Sequence, residues 1–127
     1  MSEWPGGIEA ITLFVHDLGR SKSFYERVFG LPTVYEDDNS AVFGFGETMV
    51  NLLDETEAPG LIAPAQPAAG DAGVRFQFTL GVDDVDATCE VLKGRGVELL
   101  NGPIDRPWGI RTASFRDPDG YIWEIAK

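Results

Sequence analysis

The sequence predicts an α+β fold built from two βαβββ modules, and an internal duplication is the main observation behind this prediction. Apolar and polar residues alternate over residues 8–16 and again over 74–82, a spacing typical of half-buried strands. A shift of 67 positions places the first stretch on the second and Asp17 on Asp84. Because one module is too small to bury its own core, we expect the two to pair, either within one chain or by exchange between two chains.

Module one, at about residues 8–56, continues from its first strand into a helix. Asp17 can cap that helix, Phe24 and Val28 recur at helical spacing, and Gly30 can end it. Three short strands are expected to follow, at about 33–37, 41–46 and 48–53.

A linker at about residues 57–73 is rich in Ala, Pro and Gly, and we expect an extended connection without regular elements there. In module two, at about 74–127, Asp84 can cap a helix that runs to about Lys93. Strands are expected at about 97–100, 110–116 and 121–126. The sequence Asp-Pro-Asp-Gly at 117–120 predicts the turn between the last two strands.

The composition fits a single domain spanning residues 1–127, with 43% hydrophobic and 24% charged residues. No apolar run approaches the roughly 18 residues of a membrane span, so we expect a cytoplasmic protein that binds no membrane. The formal net charge of -11 argues against a nucleic-acid partner, whose phosphates require a basic surface. Cys89 is the only cysteine, and its helical spacing from Val85 and Leu92 predicts a buried side chain.

Three signatures accompany the duplicated order: "ITLFVHDLGRSKSFYERVFGL" in module one, and "RPWGIRTASFRDPDG" and "GYIWEI" in module two. With them the chain resembles the vicinal oxygen chelate superfamily, which includes glyoxalase I, extradiol dioxygenases, fosfomycin-resistance enzymes and bleomycin-binding proteins. The resemblance implies a glyoxalase-like fold, in which two modules form a cup-shaped mixed sheet with helices on the outer face. It leaves the chemistry open, because the superfamily hosts several reactions and some members with none.

The resemblance also implies where a metal would be held. In members that use one, four inner-face side chains bind the ion, and the corresponding positions here are Ala10, Asn51, Gln77 and Glu124. Ala10 has no donor atom and the two amides offer only neutral oxygens, so Glu124 is the single strong ligand. We therefore expect no tightly bound metal and no other cofactor.

His16 is the only histidine and is a second possible metal ligand or base. It shares the alternation of Ala10 but lies six residues farther along the first strand. At about 3.3 Å per residue, this places the two side chains about 20 Å apart. His16 therefore cannot join Glu124 in one coordination sphere, and we expect it only to end the strand.

Without a metal, the inner face of the cup is predicted to bind a small organic molecule. The expected ligand-binding residues are Thr12, Phe14, Met49, Asn51, Gln77, Thr79, Trp108, Arg111 and Glu124. Phe43 and Phe45 are further candidates for the pocket wall, since apolar walls with a few polar groups are typical of such sites. The alternative is a vestigial polar core in which Asn51 and Gln77 bond each other and Glu124.

Two classes of function remain open from the sequence. One is a binding protein of the sequestration or resistance type, for which the bleomycin-binding members are the nearest analogy. The other is an enzyme, a lyase, isomerase or dioxygenase, that uses Glu124 as catalytic base or an atypical metal site. The resemblance and the exposed sheet edges of such modules also imply a homodimer.

Overall fold

A computed structural model describes residues 4–127 of the protein. The chain divides into two compact units, with the boundary between Ala68 and Ala69. Each unit contains one βαβββ module with its own four-stranded mixed sheet, so the predicted duplication is confirmed. Within the described residues, no helix is both long enough and apolar enough to cross a membrane.

The first unit contains, in chain order, β1 (Ala10–Val15), α1 (Leu18–Phe29), β2 (Thr33–Glu36), β3 (Ser40–Phe45) and β4 (Thr48–Asp54). Its sheet has the order β1-β4-β3-β2. β1 runs parallel to β4, and the other neighbouring strands are antiparallel. β1 and β2 are therefore the edges of this sheet.

α1 begins and ends at the residues that the sequence predicts. The Asp17 carboxylate accepts a hydrogen bond of 3.1 Å from the Arg20 backbone N–H, and Gly30 ends the helix with a φ of 64°. The helix packs on β3 and β4, and the centroid of its buried Tyr25 ring lies 5.9 Å from that of Phe43. This packing covers one face of the first sheet.

The connection after β4 differs from the prediction. Residues 57–73 were expected to be extended, but a 3₁₀ turn at Glu55–Glu57 and the one-turn helix α2 (Pro59–Ile62) form its first part. The Asp54 carboxylate accepts a hydrogen bond of 2.9 Å from the Thr56 backbone N–H, which orders the first turn. Pro59 begins α2, where its fixed φ favours a helix.

The second unit contains β5 (Gln77–Gly81), α3 (Val85–Gly94), β6 (Leu99–Asp105), β7 (Arg111–Arg116) and β8 (Ile122–Ala126). Its sheet has the order β5-β8-β7-β6, with β5 parallel to β8 and the rest antiparallel. This arrangement repeats that of the first unit strand for strand.

α3 is capped by Asp84, whose carboxylate accepts a hydrogen bond of 3.0 Å from the Ala87 backbone N–H. The helix packs on β6, β7 and β8. Cys89 lies on the buried side of α3 and is 1% exposed, so the prediction of a buried cysteine is confirmed. Burial raises the pKa of the Cys89 thiol, which keeps it protonated and unreactive at neutral pH.

Candidate functional site

Each sheet has one face covered by the helix of its own unit, and we call the opposite face the helix-free face. Leu13 and Val15 of β1 are 2% and 0% exposed on the face of the sheet that α1 covers, and their neighbours along the strand point the other way. The alternation predicted for β1 and β4 is thus confirmed. The residues on the helix-free face of the first sheet include Ala10, Thr12, Phe14, Met49 and Asn51.

Asn51 is the polar side chain in the middle of this face. In the strand register it lies between Thr12 on β1 and Val42 on β3. Its Nδ2 donates a long hydrogen bond of 3.5 Å to Thr12 Oγ1, and its buried Oδ1 has no hydrogen-bond partner among the described residues. A buried amide oxygen without a donor is costly, so the Asn51 amide has hydrogen-bonding capacity left for a ligand.

Four polar residues form a continuous row across the helix-free face of the second sheet. We call them the polar row: Asn101 of β6, Ser114 of β7, Glu124 of β8 and Thr79 of β5, each paired in register with the next. The Thr79 hydroxyl donates a hydrogen bond of 3.0 Å to Glu124 Oε1. Glu124 Oε2 makes no hydrogen bond within residues 4–127, so this oxygen can accept one from a ligand.

Arg106 contacts one end of the polar row, and the sequence pattern did not indicate it as a site residue. Its Nε donates a hydrogen bond of 2.9 Å to Thr112 Oγ1, and its Nη2 donates one of 3.3 Å to Asn101 Oδ1. The pairing of β6 with β7 shifts register between Asn101 and Ile104, so alternation along β6 could not assign a face to the residue that follows it. The available signal was the arginine at the start of the quoted "RPWG" segment.

Arg111 lies on the helix-covered face of the second sheet. Its guanidinium donates two hydrogen bonds of 2.9 Å to the Asp86 carboxylate on α3 and one of 2.9 Å to Asp105. The Asp86 carboxylate raises the pKa of Arg111, and the Arg111 guanidinium in turn lowers the pKa of Asp86. Two carboxylates therefore already bind Arg111, on the face of the sheet opposite to Glu124. Trp108, in the turn between β6 and β7, is 70% exposed.

Phe43 belongs to the core of the first unit, so its prediction as a pocket-wall residue is wrong, and the half-buried Phe45 packs against α1. Phe43 is 1% exposed against α1, and the ring centroid of Phe45 lies 5.1 Å from that of Phe29. The two residues that open β3, Ser40 and Ala41, are both buried. Without alternating burial at the start of the strand, the sequence pattern could not assign its faces.

The predicted site residues therefore fall on different faces. Thr12, Phe14, Met49 and Asn51 share the helix-free face of the first sheet. Gln77, Thr79 and Glu124 share that of the second sheet, where the Gln77 side chain is exposed. Asn51 and Glu124 each bond to a threonine of their own sheet.

His16 follows the end of β1, and its side chain is 83% exposed. Its Nδ1 lies 2.8 Å from Glu55 Oε1 in the turn after β4. His16 thus makes a surface contact at the end of the strand, where the alternation predicted it to lie.

The four family positions do not provide a suitable donor set for a transition metal. The first sheet contributes Ala10, which has no donor, and the neutral amide of Asn51. The second sheet contributes the neutral amide of Gln77 and one carboxylate, Glu124, whose Oε1 already accepts from Thr79. In the part of the chain that the structure describes, no three His, Cys, Asp or Glu side chains are grouped to hold a metal ion.

The chain is similar to a known protein family and to relatives of known sequence. A family model described as the Glyoxalase/Bleomycin resistance protein/Dioxygenase superfamily matches residues 7–125. The uncharacterized protein YraH of Bacillus subtilis is 38% identical over 121 residues, which cover 92% of this chain and 94% of YraH. A probable lactoylglutathione lyase of Vibrio cholerae is 29% identical over 120 residues, which cover 89% of this chain and 84% of the lyase.

Solved structures share the fold. A glyoxalase/bleomycin resistance protein/dioxygenase from Nocardioides has a TM-score of 0.87 at 24% identity, covering 98% of this chain and 85% of its own. A lactoylglutathione lyase from Agrobacterium tumefaciens has a TM-score of 0.76 at 27% identity, covering 96% and 93%. The predicted glyoxalase-like α+β fold is therefore confirmed.

Proposed function

The chain belongs to the Glyoxalase/Bleomycin resistance protein/Dioxygenase superfamily, and from that premise we propose that it binds a small organic molecule without a catalytic metal. The candidate binding surfaces are the helix-free face of the first sheet and, separately, the helix-free face of the second sheet. The biological role would be sequestration of, or resistance to, the bound compound. The observation that carries the proposal is the donor set at the four family positions, which contains a single carboxylate.

The chemistry of the two faces supports an organic ligand. Phe14 and Met49 offer apolar surface beside the unsatisfied oxygen of Asn51. The polar row offers the exposed Thr79 side chain and the Oε2 oxygen of Glu124. Apolar surface with a few polar groups is the usual composition of small-molecule sites, whereas a metal site needs several anionic or imidazole donors.

The test is a fragment screen by NMR on the isotope-labelled full chain. Hits are expected to shift the amide resonances of Thr12 and Asn51 if they bind the first sheet, or of Thr79 and Ser114 if they bind the second. For a hit on the first sheet Asn51→Leu should weaken binding about tenfold, and for a hit on the second Glu124→Gln should do so, because each removes a hydrogen bond to the ligand. Glu90→Gln is the matched control, since Glu90 lies on α3 with its side chain 77% exposed, and it should leave binding unchanged.

Two results would contradict the proposal. Shifts that cluster on α1 and α3 would place binding on the opposite faces of the sheets. If Asn51→Leu and Glu124→Gln both bound their hits as tightly as the wild type, the polar groups of the helix-free faces would have no role in recognition.

An enzyme with Glu124 as general base is the second candidate, favoured by the Oε2 oxygen that no described residue bonds. Metal analysis and turnover separate the two candidates. Protein purified without added metal should carry far less than one equivalent of Zn, Ni, Mn or Fe. A stoichiometric metal that is lost in Glu124→Gln would overturn the metal-free proposal, and a turnover lost in that variant without metal would favour the base-catalysed enzyme.

Assembly into a homodimer remains a prediction. β1 and β2 are edge strands of the first sheet, and β5 and β6 are edge strands of the second. Unpaired strand edges are surfaces on which chains associate, which supports the prediction.

A further inference from the structure

Arg106 is held in place on the second sheet by neutral groups alone. Its Nε–H bonds to the hydroxyl of Thr112, which is 1% exposed, and its Nη2–H bonds to the amide oxygen of Asn101. Together these two bonds fix the plane of the guanidinium. A guanidinium has five N–H groups, so three of them remain, two on Nη1 and one on Nη2.

No carboxylate among the described residues pairs with Arg106. Arg111 and Lys22, for comparison, each contact two carboxylates. A guanidinium keeps its charge at any physiological pH, so a positioned and unpaired one is suited to an anion from outside the chain.

We propose that Arg106 binds the anionic group of the ligand, which is therefore a small organic anion carrying a carboxylate or phosphate. This inference rests on the proposed function, because it assigns a chemical class to the molecule bound on the helix-free face. Planar anions with two oxygens match the remaining N–H groups of a fixed guanidinium.

Glu124 limits which anions fit this site. Glu124 lies two strands away from Asn101, with Ser114 between them. Because neighbouring strands are about 4.8 Å apart, Glu124 and Asn101 are about 10 Å apart. Its negative charge disfavours a second anionic group there, but its Oε2 can accept a hydrogen bond. The ligand therefore carries its negative charge near Arg106 and a hydroxyl or amino group toward Glu124.

The test compares benzoate with benzamide, which has the same shape and no charge, by NMR titration of the full chain. Benzoate should shift the Arg106 Nε–H resonance and the amides of Asn101 and Thr112, and benzamide should bind at least about tenfold more weakly. Arg106→Gln should lose at least about tenfold in benzoate affinity. Arg95→Gln removes the same charge just beyond α3 and should bind benzoate within about twofold of the wild type.

If Arg106 only stabilises the turn, the experiment gives a different result. In that case Arg106→Gln lowers stability but binds benzoate as tightly as the wild type, and the inference is overturned. If Arg106→Gln does not fold, Arg106→Lys serves instead: it keeps the charge, loses the planar fork, and should bind benzoate several-fold more weakly.

The outcomes also separate this inference from the proposed function. Equal binding of benzamide and benzoate, with shifts at Thr79 and Ser114, would overturn the anion inference and leave the proposed function supported. No shift of any helix-free-face resonance by either compound up to about 20 mM would overturn the anion inference, while the fragment screen tests the proposed function independently.

Discussion

Gly102 lies on β6, directly against the backbone of β7. Its φ is 88°, and a Cβ at this position would lie 2.5 Å from the Thr112 carbonyl oxygen and 2.7 Å from Ala113 Cα. Both the backbone conformation and the close approach therefore oppose any larger residue. We expect Gly102→Ala to lower the free energy of unfolding by about 2–4 kcal/mol, measured by urea denaturation.

Gly81→Ala is the control for this measurement. Gly81 lies on β5, and a Cβ there would contact nothing within 4 Å. Its substitution should change the free energy of unfolding by less than about 0.5 kcal/mol. Indistinguishable urea midpoints for Gly102→Ala and Gly81→Ala would contradict the close approach of β6 and β7.

For some residues the sequence pattern shows on which face of the sheet the side chain lies, and for others it does not. Asn51 could be assigned correctly, because Val50 and Leu52 flank it in a strand with regular alternation. Arg111 could not, since residues 112–115 of β7 are all buried and show no alternation. Arg106 follows a strand with two register shifts, so only the folded chain shows that it reaches Asn101.

At the scale of elements, Arg111 links α3 to the hairpin of β6 and β7 through Asp86 and Asp105. The hydrogen bonds from Arg111 lower the pKa of Asp86. A carboxylate with a lowered folded-state pKa adds stability above its unfolded pKa of about 3.9 and loses it as the pH falls through the folded pKa. Asp86→Asn should therefore lower the melting temperature by a few degrees at pH 7 and by less near pH 3, measured by circular dichroism.

Asp83→Asn controls for the change in net charge. Asp83 is an exposed residue in the loop before α3, and it makes no hydrogen bond or ion pair within the described residues. This variant should melt within about one degree of the wild type at both pH values. A deficit in Asp86→Asn that is as large at pH 3 as at pH 7 would show that the ion pair is not its cause.

The helices differ in how well the sequence predicted them. The starts of α1 and α3 were predicted because Asp17 and Asp84 cap them through local hydrogen bonds. The turn at Glu55–Glu57 was missed because its cap, Asp54, is also the last residue of β4. Its role depends on where that strand ends, which alternation alone does not determine.

At the scale of the molecule, the duplication predicted both modules, but it did not predict how their helix-free faces diverge. The shift that aligns the modules places Ala10 on Gln77 and Thr12 on Thr79. Around Thr12 the first sheet has apolar neighbours and one amide, whereas Thr79 belongs to the polar row. Similar modules therefore carry different chemistry, with the charged side chains of Arg106 and Glu124 in the second unit.

The net charge of -11 sets how the whole molecule responds to salt. Excess like charge destabilises a compact chain, and NaCl screens it by shortening the Debye length from about 30 Å at 0.01 M to about 10 Å at 0.1 M. The exposed ion pairs, such as Lys93 with Glu90, contribute about 0–1 kcal/mol each and oppose this effect only weakly.

At pH 7 we therefore expect an increase in NaCl from about 0.01 M to about 0.1 M to raise the melting temperature by about 2–5 °C. Near the sequence pI of about 4.3 the gain should vanish, because the net charge there is close to zero. A melting temperature that falls with NaCl at pH 7 would show that attraction between paired charges outweighs the net repulsion.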